Sequence, residues 1–279
     1  MAKRARRSKN RIARWLLLLC AIALGVMLYR SNTALSVEEF TFASERLGAE
    51  FNGFTIVQLT DLHGAAPEGL LEAVSAAAPD AIVLTGDLVD ENCAIDAVSH
   101  ITEALPAIAP TYYVTGNHEW AAGCAEEFMD LLESQGITCL RNEFVPLTRG
   151  DDTLILAGIE DPNGYADQKS PAQVAAELYA AHGDPFWILL AHRNNLYDIY
   201  APLGADLILS GHGHGGLIRL PFTDGLVGVE RDLFPTWTDG FYTDFASTLF
   251  VSRGIGNVGR TFRFNNPPQV AVITLESEA

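Results

Sequence analysis

The 279-residue chain has no acidic side chain before Glu38, although it carries 35 aspartates and glutamates in all. Eight of its 18 lysines and arginines (Lys3, Arg4, Arg6, Arg7, Lys9, Arg11, Arg14 and Arg30) fall in the first 30 positions. The remainder therefore sets 10 basic against 35 acidic residues. A body so negative would repel a phosphate backbone, which argues against nucleic acid as a partner. Cysteine is also scarce. Only Cys20, Cys93, Cys124 and Cys139 occur, and no C-x-x-C, so a thiolate zinc site is not indicated. Cys124 and Cys139 could pair as a disulfide outside the cell; three buried thiols fit the sequence equally well. No internal repeat or low-complexity stretch follows residue 30. With 48% apolar residues, the chain can build a sizeable core without disulfides.

The first 30 residues read as a basic N-terminus and membrane anchor. "WLLLLCAIALGVMLY" (15–29) is uncharged and mostly apolar; Ile12, Ala13 and the snorkelling stems of Arg14 and Arg30 extend it towards a bilayer span. The basic flank should stay cytoplasmic and place the rest outside the cytoplasmic membrane, as a single-pass protein. A cleaved signal peptide, giving a secreted protein, is the alternative. Residues 31–50 read as a tether leading into a first strand near "VEEFTFA", and 51–279 as the main domain.

In that domain apolar strand-like runs alternate with helical patterns: "FTIVQLT", "PEGLLEAVSAAA", "AIVLTGD", "IDAVSHITEAL", "TYYVTGN", "CAEEFMDLLESQG". This is the rhythm of a layered α/β fold. The second half is richer in strands: "EFVPLT", "TLILAGIE", "WILLAH", "DLILSGH", "GLIRL", "TLFVS" and "QVAVITLE", with "PAQVAAELYAAH" as a helix among them. Two sheets packed face to face, with helices outside, fit the count.

The chemistry-bearing residues fall at the strand ends. Asp61 and His63 follow the first run, Asp87 and Asp90 the second, and Asn117, His118 and Glu119 the third. His192 closes a fourth, and His212 and His214 a fifth. Sites in open α/β sheets form outside the carboxyl ends of strands. Singly, an Asp could cap a helix, Asn117 could hold a turn and a His could be structural. Their coincidence at five successive strand ends points to a metal centre. Carboxylate oxygen mixed with imidazole nitrogen suits Mn, Fe, Zn or Ni better than Ca. There are more ligands than one ion needs, so an Asp shared by two ions is the economical arrangement. His212 and His214, two apart in glycine, are expected to point the same way from an extended backbone.

The ordered set "DLH … GDLVD … GNHE … H … GHGH" resembles the calcineurin-like metallophosphoesterase superfamily over residues 51–276. "LLAHRNNLYDIY", "SGHGHGGLIRLP" and "SRGIGN" further resemble its bacterial YkuE/YaeI-like, membrane-associated subgroup. The resemblance implies a four-layer α/β/β/α sandwich and two divalent transition-metal ions, manganese being expected to serve in vitro. It implies that Asp61, His63, Asp87 and His214 hold one ion and Asp87, Asn117, His192 and His212 the other. A metal-bridging hydroxide would attack a phosphoester, in a phosphodiester or pyrophosphate bond. His118 would contact the phosphate and protonate the leaving oxygen, with Asp90 and Glu119 orienting ligand imidazoles from behind. A phosphomonoesterase, or a membrane-tethered binding module without catalysis, are the alternatives. The chain departs from the pattern at Gly64, where relatives often have Asn, at Gly213, where the subgroup often has Ala, and at Arg193, where proline often follows the histidine. None of these removes a ligand. Arg193 could reach a phosphate oxygen or form a salt bridge. The anchor suggests a lipid- or cell-wall-linked substrate. The aromatic stretch 231–245 could line the cleft or pack over the core.

Overall fold

The computed structural model describes residues 2–220, 224–259 and 261–278, with side chains from residue 11 onward; the basic side chains expected at Lys3, Arg4, Arg6, Arg7 and Lys9 lie outside that set. The chain opens with helix α1 (Ala2–Thr33). Its 23-residue apolar portion, Arg11–Thr33, is left uncovered by the rest of the protein over most of its length, though Ser31 near its end is buried. At 1.5 Å per residue it is about 35 Å long, enough to cross a bilayer core of about 30 Å.

Two six-stranded sheets follow. The first has the order β1 (Ser36–Ser44), β14 (Gln269–Ser277), β2 (Phe54–Leu59), β3 (Ala81–Thr85), β4 (Thr111–Val114) and β5 (Thr138–Cys139). The second has the order β12 (Gly240–Tyr242), β13 (Thr248–Val251), β9 (Leu207–Gly211), β8 (Trp187–Arg193), β7 (Asp152–Ile159) and β6 (Glu143–Arg149). A two-stranded ribbon, β10 (Ile218–Arg219) with β11 (Gly225–Val227), stands apart, so the "GLIRL" strand is shorter than expected. Strands β2 to β5 run parallel, as do β7, β8, β9 and β13. Parallel strands covered on both faces need continuous apolar runs, and the alternation of side chains sorts those runs into separate cores. Ile56, Val83, Ile188 and Leu209 fill the space between the sheets. Val57, Ile82 and Leu84 face helices α3 (Ile95–Ala104) and α5 (Ala125–Ser134). Leu189 and Ile208 face α6 (Pro171–His182) and α7 (Tyr197–Tyr200). The result is the expected four-layer α/β/β/α sandwich.

Local signals explain most helix ends. Ser170 caps α6 by accepting the Gln173 N–H at 3.3 Å, while Gln173 Oε1 accepts the Ser170 N–H at 2.8 Å. Helix α2 (Leu70–Ala76) begins later than "PEGLLEAVSAAA" suggests, because Gly69 is left-handed at φ 82° and breaks the first turn. A one-turn helix, α4 (Asn117–Ala121), grows directly from the end of β4.

The cysteines follow neither of the two readings that the sequence left open. Cys93 is bonded to Cys124, and Cys139 is a buried free thiol. Cys139 is committed to β5, its thiol against the Met129 carbonyl, whereas Cys124, just before α5, meets the segment between β3 and α3. The disulfide closes a 31-residue separation, for which chain entropy gives roughly 3–4 kcal/mol. Changing Cys93→Ser should lower unfolding free energy by about that amount, read from the denaturant midpoint, while Cys139→Ser leaves the disulfide content unchanged.

Candidate metal centre

All eight expected site residues converge at the carboxyl ends of β2, β3, β4, β8 and β9. They form overlapping groups. In one, Asp61, His63 and His214 bring ligand atoms within 4.8 Å of one another; in a second, Asp87, His192 and His212 do so; a third joins His63, Asp90 and His118. His63 Nε2 lies 3.1 Å from His214 Nε2, which is 3.4 Å from Asp61 Oδ1. Asp87 sits between the first two groups: its Oδ2 is 3.1 Å from His192 Nε2 and 3.9 Å from His63 Nε2. Asn117 Oδ1 is 3.2 Å from the same His192 nitrogen. The His118 imidazole stands at the rim, Nε2 3.9 Å from Asp87 Oδ2 and Nδ1 3.3 Å from Asp90 Oδ1.

The backbone that aims these groups is not extended. Asp61, His63, Asp87, His212 and His214 all have positive φ, between 46° and 66°. Left-handed residues other than glycine are uncommon and costly, and they collect where function requires them. The expected extended presentation of His212 and His214 is therefore corrected: two left-handed residues around Gly213 turn the imidazoles into different groups. Close approach also demands glycine. Gly86 has φ 88°, and a Cβ there would stand 2.6 Å from the Gly116 nitrogen and 2.7 Å from His192 Nδ1.

Hydrogen bonds fix the turns to one another. The Asp61 N–H donates to the Gly86 carbonyl and the His63 N–H to the Asp87 carbonyl, both at 3.0 Å. The His212 N–H donates to Asp61, and the His118 N–H to Asp87 Oδ1 at 2.8 Å. His192 Nδ1–H donates to the Thr85 carbonyl at 2.8 Å, which leaves Nε2 facing Asp87. Glu119 does not orient an imidazole, as the sequence suggested. Its carboxylate accepts the N–H groups of Asp87, Leu88 and Gly116 at 3.1, 2.7 and 2.8 Å, so it clamps the turn that carries Asp87. Asp90 is nearest His118, at 3.3 Å from its Nδ1, and lies within 4.8 Å of the His63 imidazole as well.

Burial sets the charges. It holds His63 down to about 4 and His212 down to about 3, and His214 well below its ordinary value. All three are neutral near pH 7, the form that ligates metals. Burial opposes the charge on His192, yet Asp87's charge and hydrogen bond push that imidazole up to about 10. Burial likewise works against the Asp87 carboxylate, but His192 outweighs it and holds the carboxyl far below its usual range. Burial raises Asp61 to about 6, against the opposing charge of His192.

Hard carboxylate oxygens and neutral imidazole nitrogens, gathered within ligating reach, fit a divalent metal. His212 Nε2 is buried without a hydrogen-bond partner, as a nitrogen available to a cation would be. The groups open on a cleft of about 270 Å³ walled by Asp87, Asn117, His118, Arg193, Val229 and Thr261. Arg193 makes the salt bridge: Nε and Nη2 donate to Asp161 at 2.7 and 3.0 Å. Of the aromatic stretch, Trp237 and Phe245 pack on Tyr197, while Leu233 and Phe234 are exposed. A larger cavity, about 620 Å³, lies between α1 and the domain, lined by Val26, Met27 and Pro267, and holds none of this chemistry.

One participant was not foreseen. Arg263 is fully buried, and its Nη2 donates to His214 Nδ1 at 3.1 Å. The sequence hides it: alternation in "TFRFN" would turn the phenylalanines inward, whereas Phe262 is exposed and Arg263 buried.

Residues 54–216 match the model of the calcineurin-like phosphoesterase family. The metallophosphoesterase YkuE of Bacillus subtilis (strain 168) is 27% identical, over 91% of this chain and 90% of its own length. A metallophosphoesterase of Aquifex aeolicus (strain VF5) is 29% identical, over 92% and 98%. The crystal structure of TT1561 from Thermus thermophilus superposes with a TM-score of 0.48 at 16% identity, covering 72% of this chain and 89% of that one.

Replacing Glu119 by Ala would leave several buried N–H groups without an acceptor. Each orphaned group costs about 1–3 kcal/mol, so Glu119→Ala should destabilise the metal-free protein by at least about 3 kcal/mol in denaturant titration. A loss under about 1 kcal/mol would show that the clamp is dispensable. With a matching family model over more than half its length and every strand-end motif gathered in one cleft, the chain belongs to the calcineurin-like phosphoesterases and is a phosphoester hydrolase.

Proposed function

We propose that the chain is a dinuclear metal-dependent hydrolase of phosphodiester or pyrophosphate bonds. In this reading α1 tethers it to the cytoplasmic membrane, with the domain on the outer side. The observation that carries the reading is the position of Asp87 between two groups of imidazoles and carboxylates. Asp61, His63, Asp87 and His214 would hold one ion, and Asp87, Asn117, His192 and His212 the other. When bound, such a pair offsets phosphoryl charge and makes hydroxide available near neutral pH.

The rest is the work of the chain's own residues. The His118 imidazole, one nitrogen facing Asp90 and the other the cleft, is placed to give a proton to the leaving oxygen. Asp90 backs the ring from 3.3 Å on its Nδ1 side. Arg193, locked by Asp161, presents a fixed guanidinium to the cleft wall. Orientation outside the cytoplasm is supported by the basic run ahead of the apolar segment and by the Cys93–Cys124 disulfide, since such bonds persist in oxidising compartments. A relative from Danio rerio, 28% identical, is itself named a transmembrane protein with a metallophosphoesterase domain. A cleft beside the anchor suits a phosphoester carried by a lipid or by the cell wall.

The test is turnover of bis(p-nitrophenyl) phosphate and p-nitrophenyl phosphate by the full-length protein in detergent with Mn²⁺. The diester should be preferred, Asp87→Ala should fall to background, and His118→Ala should lose about 10²–10⁴-fold while keeping its metal. Wild-type turnover in Asp87→Ala would end the dinuclear reading; preference for the monoester would change the substrate class.

A further inference from the structure

The outer part of α1 is joined to the domain on one side and stands off from it on another. On the joined side, the Asn32 carboxamide donates to the Arg263 carbonyl and accepts the Arg263 N–H, both at 2.8 Å. Just beyond the helix, the Ser36 N–H donates to the Pro268 carbonyl at 2.8 Å. The other side faces a cavity of about 620 Å³. Ala23, Val26, Met27, Arg30 and Ala34 line it at the spacing of one helical stripe. Asn265 and Pro267 close it from the domain. The gap is therefore held between fixed joints.

The stripe changes character along the axis. Ala23, Val26 and Met27 are apolar, and Arg30, one turn further out, is a cation. The depth of each follows from the helix rise. With Arg14 at the inner edge of the bilayer, Ala23 stands about 14 Å along the axis, Met27 about 20 Å and Arg30 about 24 Å. The hydrocarbon core is about 30 Å thick. The apolar wall thus runs outward from near the midplane, and Arg30 lies within snorkelling reach of the outer headgroups. Among the described residues, the Arg30 guanidinium has no ion pair and the Asn265 carboxamide no hydrogen bond. The Ser31 hydroxyl, on the same stripe, donates to the Met27 carbonyl at 2.8 Å. An apolar slot below an unpaired guanidinium has the polarity of a phospholipid, chain inward and phosphate outward.

We propose that this cavity is a binding site for one anionic phospholipid of the outer leaflet. Its acyl chain lies between the Ala23–Val26–Met27 face and Pro267, and its phosphate meets Arg30, with Asn265 as a second polar contact. Lipid around an ordinary membrane helix touches protein on one side only; here helix and domain enclose it from two. Basic pockets at this level of a membrane protein select anionic head groups, and a guanidinium suits a phosphate through paired, charge-assisted hydrogen bonds. The lipid fills the seam between anchor and domain. The inference rests on the reading of α1 as a membrane span and is independent of the metal centre.

The full-length protein is stripped of lipid in detergent and titrated with phosphatidylglycerol or phosphatidylcholine, and bound lipid is counted by native mass spectrometry. One phosphatidylglycerol should be retained, about tenfold more tightly than phosphatidylcholine. Arg30→Gln should weaken it by about tenfold, the loss of a charge-assisted contact. Ala23→Trp fills the slot and should remove the bound lipid. Ala21→Trp adds the same bulk at an equally exposed position on the other side of the helix and should bind as the unaltered protein does. Retention unchanged by both Arg30→Gln and Ala23→Trp overturns the proposal. So does equal loss in Ala23→Trp and Ala21→Trp, which is how lipid around any membrane helix behaves, and so does equal affinity for the two lipids. Release of the unaltered protein from membranes by alkaline carbonate would instead overturn the reading of α1 as a span.

Discussion

The carboxylate of Asp87 is the point on which the molecule turns. It is buried where an isolated carboxylate would be expensive, and it persists because positive and polar groups surround it: His192 at 3.1 Å from one oxygen, the His118 N–H at 2.8 Å from the other. Glu119 grips the backbone beneath it. These partners come from the ends of other strands, so the carboxylate is stable only when β3, β4 and β8 are in register across two sheets. The site and the fold therefore stand or fall together, and the apolar cores between and outside the sheets supply the free energy that keeps so many polar groups dry.

The same constraint accounts for the backbone. A strand that simply ran on would send successive side chains to opposite faces. Five left-handed residues instead bend the chain back over the strand ends, and glycines at 86 and 211 let neighbouring turns touch. This is strain held at a functional site by the rigid layers around it. Left-handed aspartates and histidines belong to short turns, which is why they could not be seen in apolar periodicity.

What the residues disclosed in sequence was the skeleton. Strands at "FTIVQLT", "AIVLTGD", "TYYVTGN" and "DLILSGH" are where their apolar runs suggest, and α6 has the bounds that its capping serine and proline set. The strand-end residues were legible because each lies within a few positions of such a run. What lay hidden depends on contacts distant in sequence: the partner of Cys124, the clamp made by Glu119, the pairing of Arg193 with Asp161, and Arg263 beneath His214. Arg263 is 49 residues from that histidine and 231 from Asn32, and no local pattern specifies a partner at such distances.

A body so acidic must still receive an anion. Asp61, Asp87, Asp90 and Glu119 all border the cleft or its floor, while burial keeps His63, His212 and His214 neutral. His192, Arg193 and Arg263 are the cations within reach, but His192 is spent on Asp87 and Arg193 on Asp161, and Arg263 is sealed from the cleft. On side chains alone, the centre offers a phosphoester little net attraction. In the proposed reading divalent ions supply that charge, so they serve substrate binding as much as bond cleavage. The donor set that could retain them is the same set that would otherwise turn the substrate away, which ties affinity for the anion to occupancy of the metal sites.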